Sequence, residues 1–437
     1  MGGRSGPPQL QLPAEAARQL DVCVHCGFCL PACPTYRELG EEADSPRGRI
    51  DIIGGAFRGE VSADDPGVGL HLDRCLDCRA CESACPSGVQ YHLLLEAAVA
   101  QLPARRPWLA AGGAEAAAFS TGLGLMRLLL RHLVRRPRLL AWAVQLGRRI
   151  PLLARRLPAG LAALLAGLPQ PAQAPARRRL PALLPARGPR RGAVDLFLGC
   201  IQDAVCGDDN LAIAHALAAC GYDVHLPAGQ TCCGALHAHL GDRAGLRQLA
   251  QANLRALGAA ERPLVVGAAG CSAVLKDYGR LLADGPLAGR AAALAARTRD
   301  FAELLAAGPP PAVSLPPAGA PVRVTWHDPC HLSHAQGVRR QPRDLIRALP
   351  GVEYVELQEA DACCGSAGVY NVLEPELSAQ VLARKVAHIA ASGAHWVITE
   401  NPGCALQLRA GLRQAGLDIR VVSLGQLLAE AYGGEGP

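Results

Sequence analysis

Residues 22–34 read VCVHCGFCLPACP and residues 74–86 read RCLDCRACESACP. Each places four cysteines at the spacing Cys-x2-Cys-x2-Cys-x3-Cys and follows the last with proline. Three thiolates at two-residue intervals can wrap one face of a small inorganic cube from a tight turn. The fourth, set in register by the proline, reaches the neighbouring cube. The pattern predicts two [4Fe-4S] centres with interleaved ligands: Cys23, Cys26, Cys29 and Cys85 for the first, and Cys75, Cys78, Cys81 and Cys33 for the second. Zinc and disulfides are the competing readings of Cys-x2-Cys. Zinc takes two separated pairs, so a third cysteine at the same interval and a Cys-Pro fourth, twice over, speak for iron.

The rest of the composition agrees with a packed protein. A chain of 437 residues, 50% hydrophobic and 19% charged, has length for about three domains and material for their cores. Aromatics are only 4%, so those cores are aliphatic. Eighteen cysteines, eight of them in ligand runs, imply a reducing compartment. The first residues lack an apolar signal stretch, and a cytoplasmic location is expected. The net charge of +6 comes almost wholly from arginine, without interleaved aromatics or a DNA- or RNA-binding signature, so nucleic acid is not an expected partner.

Residues 11–22 read as a short amphipathic helix entering the first run, and Thr35 to Leu39 as a helical turn leaving it. Ser45-Pro46-Arg47-Gly48-Arg49-Ile50 begins a linker in which Arg47 and Arg49 are candidates to sit near the centres and stabilise their reduced state. His25, inside the first run, is expected to set a hydrogen-bond environment and not to ligate. Tyr91 to Leu102 is helical in pattern. Residues 108–168 are rich in Leu, Ala and Arg; Met126 to Arg136 and Leu139 to Arg149 place arginines among leucines at helical spacing. Such helices can lie on an anionic membrane surface or pack on the protein itself, and no window is apolar enough to span a bilayer. Residues 169–193 are Pro-, Ala- and Arg-rich and mark a boundary.

Beyond it the chain repeats itself. Strands at 194–198, 223–226 and 263–266 lead to Cys200, Cys232-Cys233-Gly234 and Cys271. Strands at 321–326, 353–357 and 396–399 lead to Cys330, Cys363-Cys364-Gly365 and Cys404, with a final strand and helix over 418–432. Equivalent cysteines stand 130, 131 and 133 residues apart, which signals duplicated α/β units with mostly parallel sheets. The expected architecture is α+β and multidomain. A helical two-cluster ferredoxin-like domain (1–102) and a helical, Pro/Arg-rich connection (103–192) precede two Cys-Cys-Gly domains (193–284 and 321–437) joined by a linker (285–320).

Open α/β sheets gather ligands at the C-terminal ends of their strands. Cys200, Cys232, Cys233 and Cys271, and likewise Cys330, Cys363, Cys364 and Cys404, are therefore candidates for an additional iron-sulfur centre, for a thiol-disulfide pair, or for buried apolar positions. The second unit is the richer in polar neighbours: His327, Asp328, His331, His334, Glu400 and Asn401. His331 is a candidate to tune or ligate a centre or to bind a quinone. Cys206 and Cys220 have no counterparts in the second unit and read as plain buried thiols. No Gly-x-Gly-x-x-Gly or Walker loop follows a strand, so no nicotinamide, flavin or nucleotide site is signalled and no catalytic residue stands out.

Two cluster runs with two Cys-Cys-Gly units resemble the iron-sulfur subunits of flavin-linked dehydrogenases of 2-hydroxy acids and glycerol phosphate, and the heterodisulfide reductase subunits that share the Cys-Cys-Gly domain. VCVHCGFCLPACPTYRELGEEADSPRGRI (22–50), CCGSAGVYNVLEPELS (363–378) and NPGCALQL (401–408) are most similar to the iron-sulfur subunit of bacterial glycolate oxidase. The resemblance implies an electron-transfer subunit holding two [4Fe-4S] clusters, partnered with flavin-bearing subunits that oxidise glycolate to glyoxylate, and relaying electrons toward the quinone pool at the inner face of the cytoplasmic membrane. The same role for lactate or glycerol 3-phosphate dehydrogenase, or a disulfide reductase acting at the Cys-Cys-Gly sites, are the alternatives. The heterodisulfide reductase pattern closes each unit with Cys-x2-Cys. Here Val274 and Gln407 stand at the last position, which argues against the same double-cubane-like centre.

Overall fold

The computed structural model describes residues 8–102, 136–148, 166–169, 174–258, 260–308 and 321–432. The arginine-leucine stretch at 126–135 and most of the 108–168 segment lie outside the described residues.

The N-terminal domain is helical. Ala14–Val22 leads to Cys23, Cys33 precedes Pro34–Leu39, and Pro46–Arg58, Pro66–Asp73 and Tyr91–Val99 complete it. Leu10, Ile53, Leu72 and Leu94 are buried together at its centre, each worth roughly 1.5–3 kcal/mol of burial. The stretch from Ser45, expected to open a linker, starts a helix instead. Ser45 Oγ accepts the Gly48 N–H at 3.0 Å, Pro46 fills the first turn, and Gly59 at φ 78° ends the helix. Gly48 permits this start, because a Cβ there would stand 2.0 Å from the Glu42 carbonyl oxygen. Ser-Pro followed by Gly48, Gly54 and Gly55 has a turn-like composition, but serine caps and first-turn prolines also begin helices.

Each Cys-Cys-Gly unit is built on a parallel sheet. The first has the strands β1 (Leu183–Leu184), β2 (Gly192–Phe197), β3 (Tyr222–His225), β4 (Leu264–Val266) and β5 (Thr298–Asp300), in the order β1-β3-β2-β4-β5, with β1 alone antiparallel. The second has β6 (Val322–Trp326), β7 (Val352–Tyr354), β8 (Trp396–Thr399) and β9 (Arg420–Ser423), in the order β7-β6-β8-β9. Thus β3-β2-β4-β5 and β7-β6-β8-β9 are the same arrangement. The stretch 285–320, expected as a linker, contains the helix Ala288–Arg297, then β5 and the helix Phe301–Ala306. These finish the first unit as β9 and Leu424–Ala431 finish the second, and both final helices begin with a capping box, Asp300–Glu303 and Ser423–Gln426. The last strand carries no cysteine, so spacing of cysteines could not reveal it.

The units share one apolar core, in which Val194, Leu196, Ile213 and Phe301 meet Val324, Trp326, Ile346 and Leu424. The first long helix of each packs on the last helix of the other: Gly207–Ala219 on Leu424–Ala431, and Arg340–Arg347 on Phe301–Ala306. The helix Pro137–Arg148 buries Leu140 and Ala141 against the first unit and leaves Trp142 exposed. Among the described residues no helix is long and apolar enough to cross a membrane.

Candidate metal centres

The two ligand runs fold into matching loops. His25 and Gly27 have φ of 54° and 85°, and their counterparts Asp77 and Arg79 have 50° and 60°. The left-handed positions turn the backbone so that successive cysteines face one side; three of the four accept that strain without being glycine. Cys23, Cys26, Cys29 and Cys85 line one cavity, and Cys33, Cys75, Cys78 and Cys81 line a second. Each fourth cysteine has crossed to the other run, and Cys81, Pro46 and Tyr91 wall both cavities. All eighteen cysteines are free; five thiols line the first cavity, Cys81 among them, and four the second, so each offers a donor set suited to an iron-sulfur cube. Burial pushes the Cys78 and Cys81 thiols well up, so deprotonation there would accompany metal binding.

Arg47 and Arg49 leave one helix toward the two cavities. Arg47 Nη1 donates to the His25 carbonyl at 3.1 Å and its Nε to Glu42 at 2.6 Å. His25 itself faces Asp51 at 3.6 Å. Arg49 is 1% exposed; it donates to the His71 carbonyl (2.6 Å), Thr35 Oγ1 (3.0 Å) and Asp44 (3.2 Å), and its Nη1 lies 3.9 Å from Cys33 Sγ. Burial works against this charge, but Cys75, Tyr91, Cys33 and Asp44 outweigh it and raise the pKa. Asp44, fully buried, also takes Arg74 at 2.8 Å and His71 at 3.1 Å.

In the first Cys-Cys-Gly unit the four thiols converge as two contacts, Cys200 to Cys232 at 3.3 Å and Cys233 to Cys271 at 3.1 Å. Hydrogen bonds from Cys232 and Cys271 lower the Cys233 pKa against the opposing effect of burial. Tyr278 Oη donates to the Cys233 carbonyl at 2.7 Å and Asn253 to that of Cys232 at 2.9 Å, holding the vicinal pair. In the second unit Cys330 is pushed up first by contact with Cys363 and then by burial, and Cys364 contacts both Cys363 and Cys404. Asn401 donates to Cys404 Sγ at 3.4 Å. Gln407 donates to Ser378 Oγ at 3.0 Å and accepts from Asn371 at 2.9 Å. Cys206 and Cys220 are buried in the cores.

The second unit closes on the second cluster run. Leu76, Cys78 and Ala80 pack with Cys363, Tyr370 and Leu377, and Cys330 packs against this group. His331 Nε2 bonds the Asp77 carbonyl at 2.9 Å, His334 Nδ1 meets Ser83 Oγ at 2.9 Å, and Tyr370 Oη donates to the Arg74 carbonyl at 3.0 Å. Arg37 clamps Glu359 through two bonds of 3.0 and 2.7 Å. His331 stacks on His239 at 5.5 Å, and burial with that neighbour brings its pKa down to about 4. The sites therefore run in series: the first cavity beside the exposed Val24 and Phe28, the second lined by more deeply buried residues such as Cys33, Arg49 and Cys78, and the cysteines of the second Cys-Cys-Gly unit next to it.

Residues 19–89 match the model of a 4Fe-4S dicluster domain, and residues 194–276 and 324–409 each match that of a cysteine-rich domain. The chain is 36% identical over 427 residues, 94% of both chains, to the probable glycolate oxidase iron-sulfur subunit of Bacillus subtilis (strain 168). This chain belongs to the glycolate oxidase iron-sulfur subunit family. The glycolate oxidase iron-sulfur subunit of Escherichia coli (strain K12) is 33% identical over 408 residues, 91% of this chain and 92% of that one. Lactate utilization protein A of Oceanobacillus iheyensis is 28% identical over 238 residues, 54% of this chain and 96% of that one. The dicluster domain gives this family member [4Fe-4S]-type centres. Sequence reasoning missed the support behind the cysteines of the two kinds of unit: Thr35, Asp44 and His71 around Arg49, and Tyr278 behind Cys233. None falls in a cysteine motif, and only a helix starting at Pro46, with Arg47 and Arg49 projecting two residues apart, signals the first group.

Proposed function

We propose that this chain is the electron-transfer subunit of a flavin-dependent glycolate dehydrogenase, taking electrons from a flavoprotein partner that oxidises glycolate to glyoxylate and passing them toward the quinone pool. The observation that carries this reading is the serial arrangement of two cysteine-lined cavities and a further cysteine cluster, in a chain similar over nearly its whole length to glycolate oxidase iron-sulfur subunits. Cys23, Cys26, Cys29 and Cys85 would hold the first cube, and Cys75, Cys78, Cys81 and Cys33 the second. Such cubes supply one-electron carriers that split the electron pair of a reduced flavin.

The chain's own residues prepare for this. Arg49, charged and buried behind Cys33, offsets negative charge at the second cavity, while Arg47 ties the first loop to the same helix. Val24 and Phe28, each 65% exposed at the rim of the first cavity, offer an apolar face for the flavoprotein. We place the chain in the cytoplasm, with the exposed Leu139 and Trp142 available for peripheral membrane contact.

Anaerobic purification with its flavoprotein partner tests this. Glycolate should bleach the cluster absorption and generate the paramagnetic signals of reduced cubes. Bleaching by lactate or glycerol 3-phosphate, with none by glycolate, would overturn the substrate assignment. An iron count well below the roughly eight of two cubes would overturn the two-centre reading.

A further inference from the structure

Because the two Cys-Cys-Gly units are copies, one serves as a control for the other. Val194 on β2 pairs with Val224 on β3, and Val324 on β6 pairs with Tyr354 on β7, so the copies align with an offset of 130. The same offset relates Cys200 to Cys330. Three residues before that cysteine the first unit has Phe197 and the second has His327. Phe197 is part of the apolar wall around Cys200, Cys232 and Cys233. His327 occupies the matching place with 0% exposure; its ring faces the Ala360 backbone, a contact that can serve one nitrogen and leaves the other without a hydrogen-bond partner.

A buried imidazole with a ring nitrogen that neither solvent nor protein satisfies is a costly substitute for phenylalanine, unless something else is to be bound there. In front of it lie Cys364 and Cys404, also buried; one donor atom from each of the three residues lies within 4.8 Å of the others. A cation with bonds of 2.0 to 2.3 Å holds nitrogen and sulfur donors roughly 3.5 Å apart, so a small contraction would seat one. Lys385 stands nearby, donating to the carbonyls of Glu359 and Ala360; its charge keeps the His327 imidazole neutral and would balance cysteines deprotonated by a metal.

We propose that the second Cys-Cys-Gly unit binds a borderline-soft metal through a mixed imidazole-thiolate set, His327 with Cys364 and Cys404, while the first unit, with Phe197, offers sulfur alone. Zinc and the iron of a sulfide-bridged centre share this donor chemistry. The inference deepens the proposed relay by giving its innermost pocket a nitrogen ligand, and it stands apart from the ligands of the two cubes.

The test uses the full chain purified anaerobically, with zinc, iron and sulfide counted and the cube signals recorded by electron paramagnetic resonance. His327→Phe copies the first unit and should lose the zinc, or the iron in excess of two cubes, with the cube signals unchanged. Zinc-edge X-ray absorption, or pulsed electron paramagnetic resonance for iron, should detect imidazole nitrogen on that metal in the wild type. An unchanged metal count in His327→Phe overturns the proposal. So does an all-sulfur shell in the wild type, or a wild type without metal beyond two cubes; these wild-type readings decide the matter even if the variant fails to fold. The cube assignment fails separately, as when Cys29→Ala retains both cubes.

Discussion

Arg49 shows how much a single side chain carries behind a metal site. It joins Thr35, Asp44 and the His71 carbonyl while reaching the sulfur of Cys33. Arg49→Met would leave Asp44 buried with only His71 and Arg74, at a cost of about 3 kcal/mol. Thermal unfolding should show that loss, and a redox titration should show the second centre's potential falling while the first stays. Equal shifts at both centres would mean that Arg49 acts through the fold alone. The position of Arg49 near a centre was legible from its place in Ser-Pro-Arg-Gly-Arg. Its complete burial was not, because the partners that make it tolerable come from three other segments. His327 was legible only as one of several polar residues beside Cys330; its meaning depends on Phe197, which carries no motif.

Among the elements, the paired ligand loops are the most informative, since the same left-handed positions recur in both. Cys33 leaves its own loop to line the second cavity and Cys85 leaves its own to line the first. Cys33→Ala should therefore damage the second-run centre, and Cys85→Ala the first-run centre. Separate spectra of the two variants check this; damage confined to each cysteine's own run would refute the crossed assignment. Periodicity and spacing gave most strands to within a few residues, because β-branched runs ending at Gly-Cys or Pro-Cys are strong signals. They failed for β5 and for the helix from Pro46. A three-residue strand bounded by arginine-containing segments has little pattern, and a helix with Gly54 and Gly55 inside has an unfavourable composition that its packing against the N-terminal core overcomes.

In the whole molecule the two copies meet around a seam that holds acidic groups. Glu400 is buried with both carboxylate oxygens unpaired, and its backbone carbonyl accepts the Ala269 N–H of the other unit at 3.0 Å. Burial first, then Asp300 and Asp209, pushes its pKa well up, and burial also raises Asp300 to about 7 and Asp209 to about 6. Between the unfolded carboxylate range and these values the folded chain binds more protons than the unfolded one, so stability falls as pH rises through that window. Glu400→Gln should flatten the decline, unfolding at a higher temperature than the wild type at pH 8 and at nearly the same one at pH 5. Parallel melting curves at every pH would show that Glu400 does not titrate in this range. The docking of the N-terminal domain was not legible in the sequence. It rests on pairs such as Arg37 with Glu359 and Arg280 with Glu96, each charged residue being ordinary in its own segment. That docking also bears on biogenesis. Residues around Cys363, Tyr370 and Leu377 close the wall behind Cys78, and they are synthesised long after both ligand runs. Iron and sulfide meet the second cavity without that wall while the chain is being made, whereas a chain that folds ahead of its metal supply would have to load it through the opening that the wall leaves.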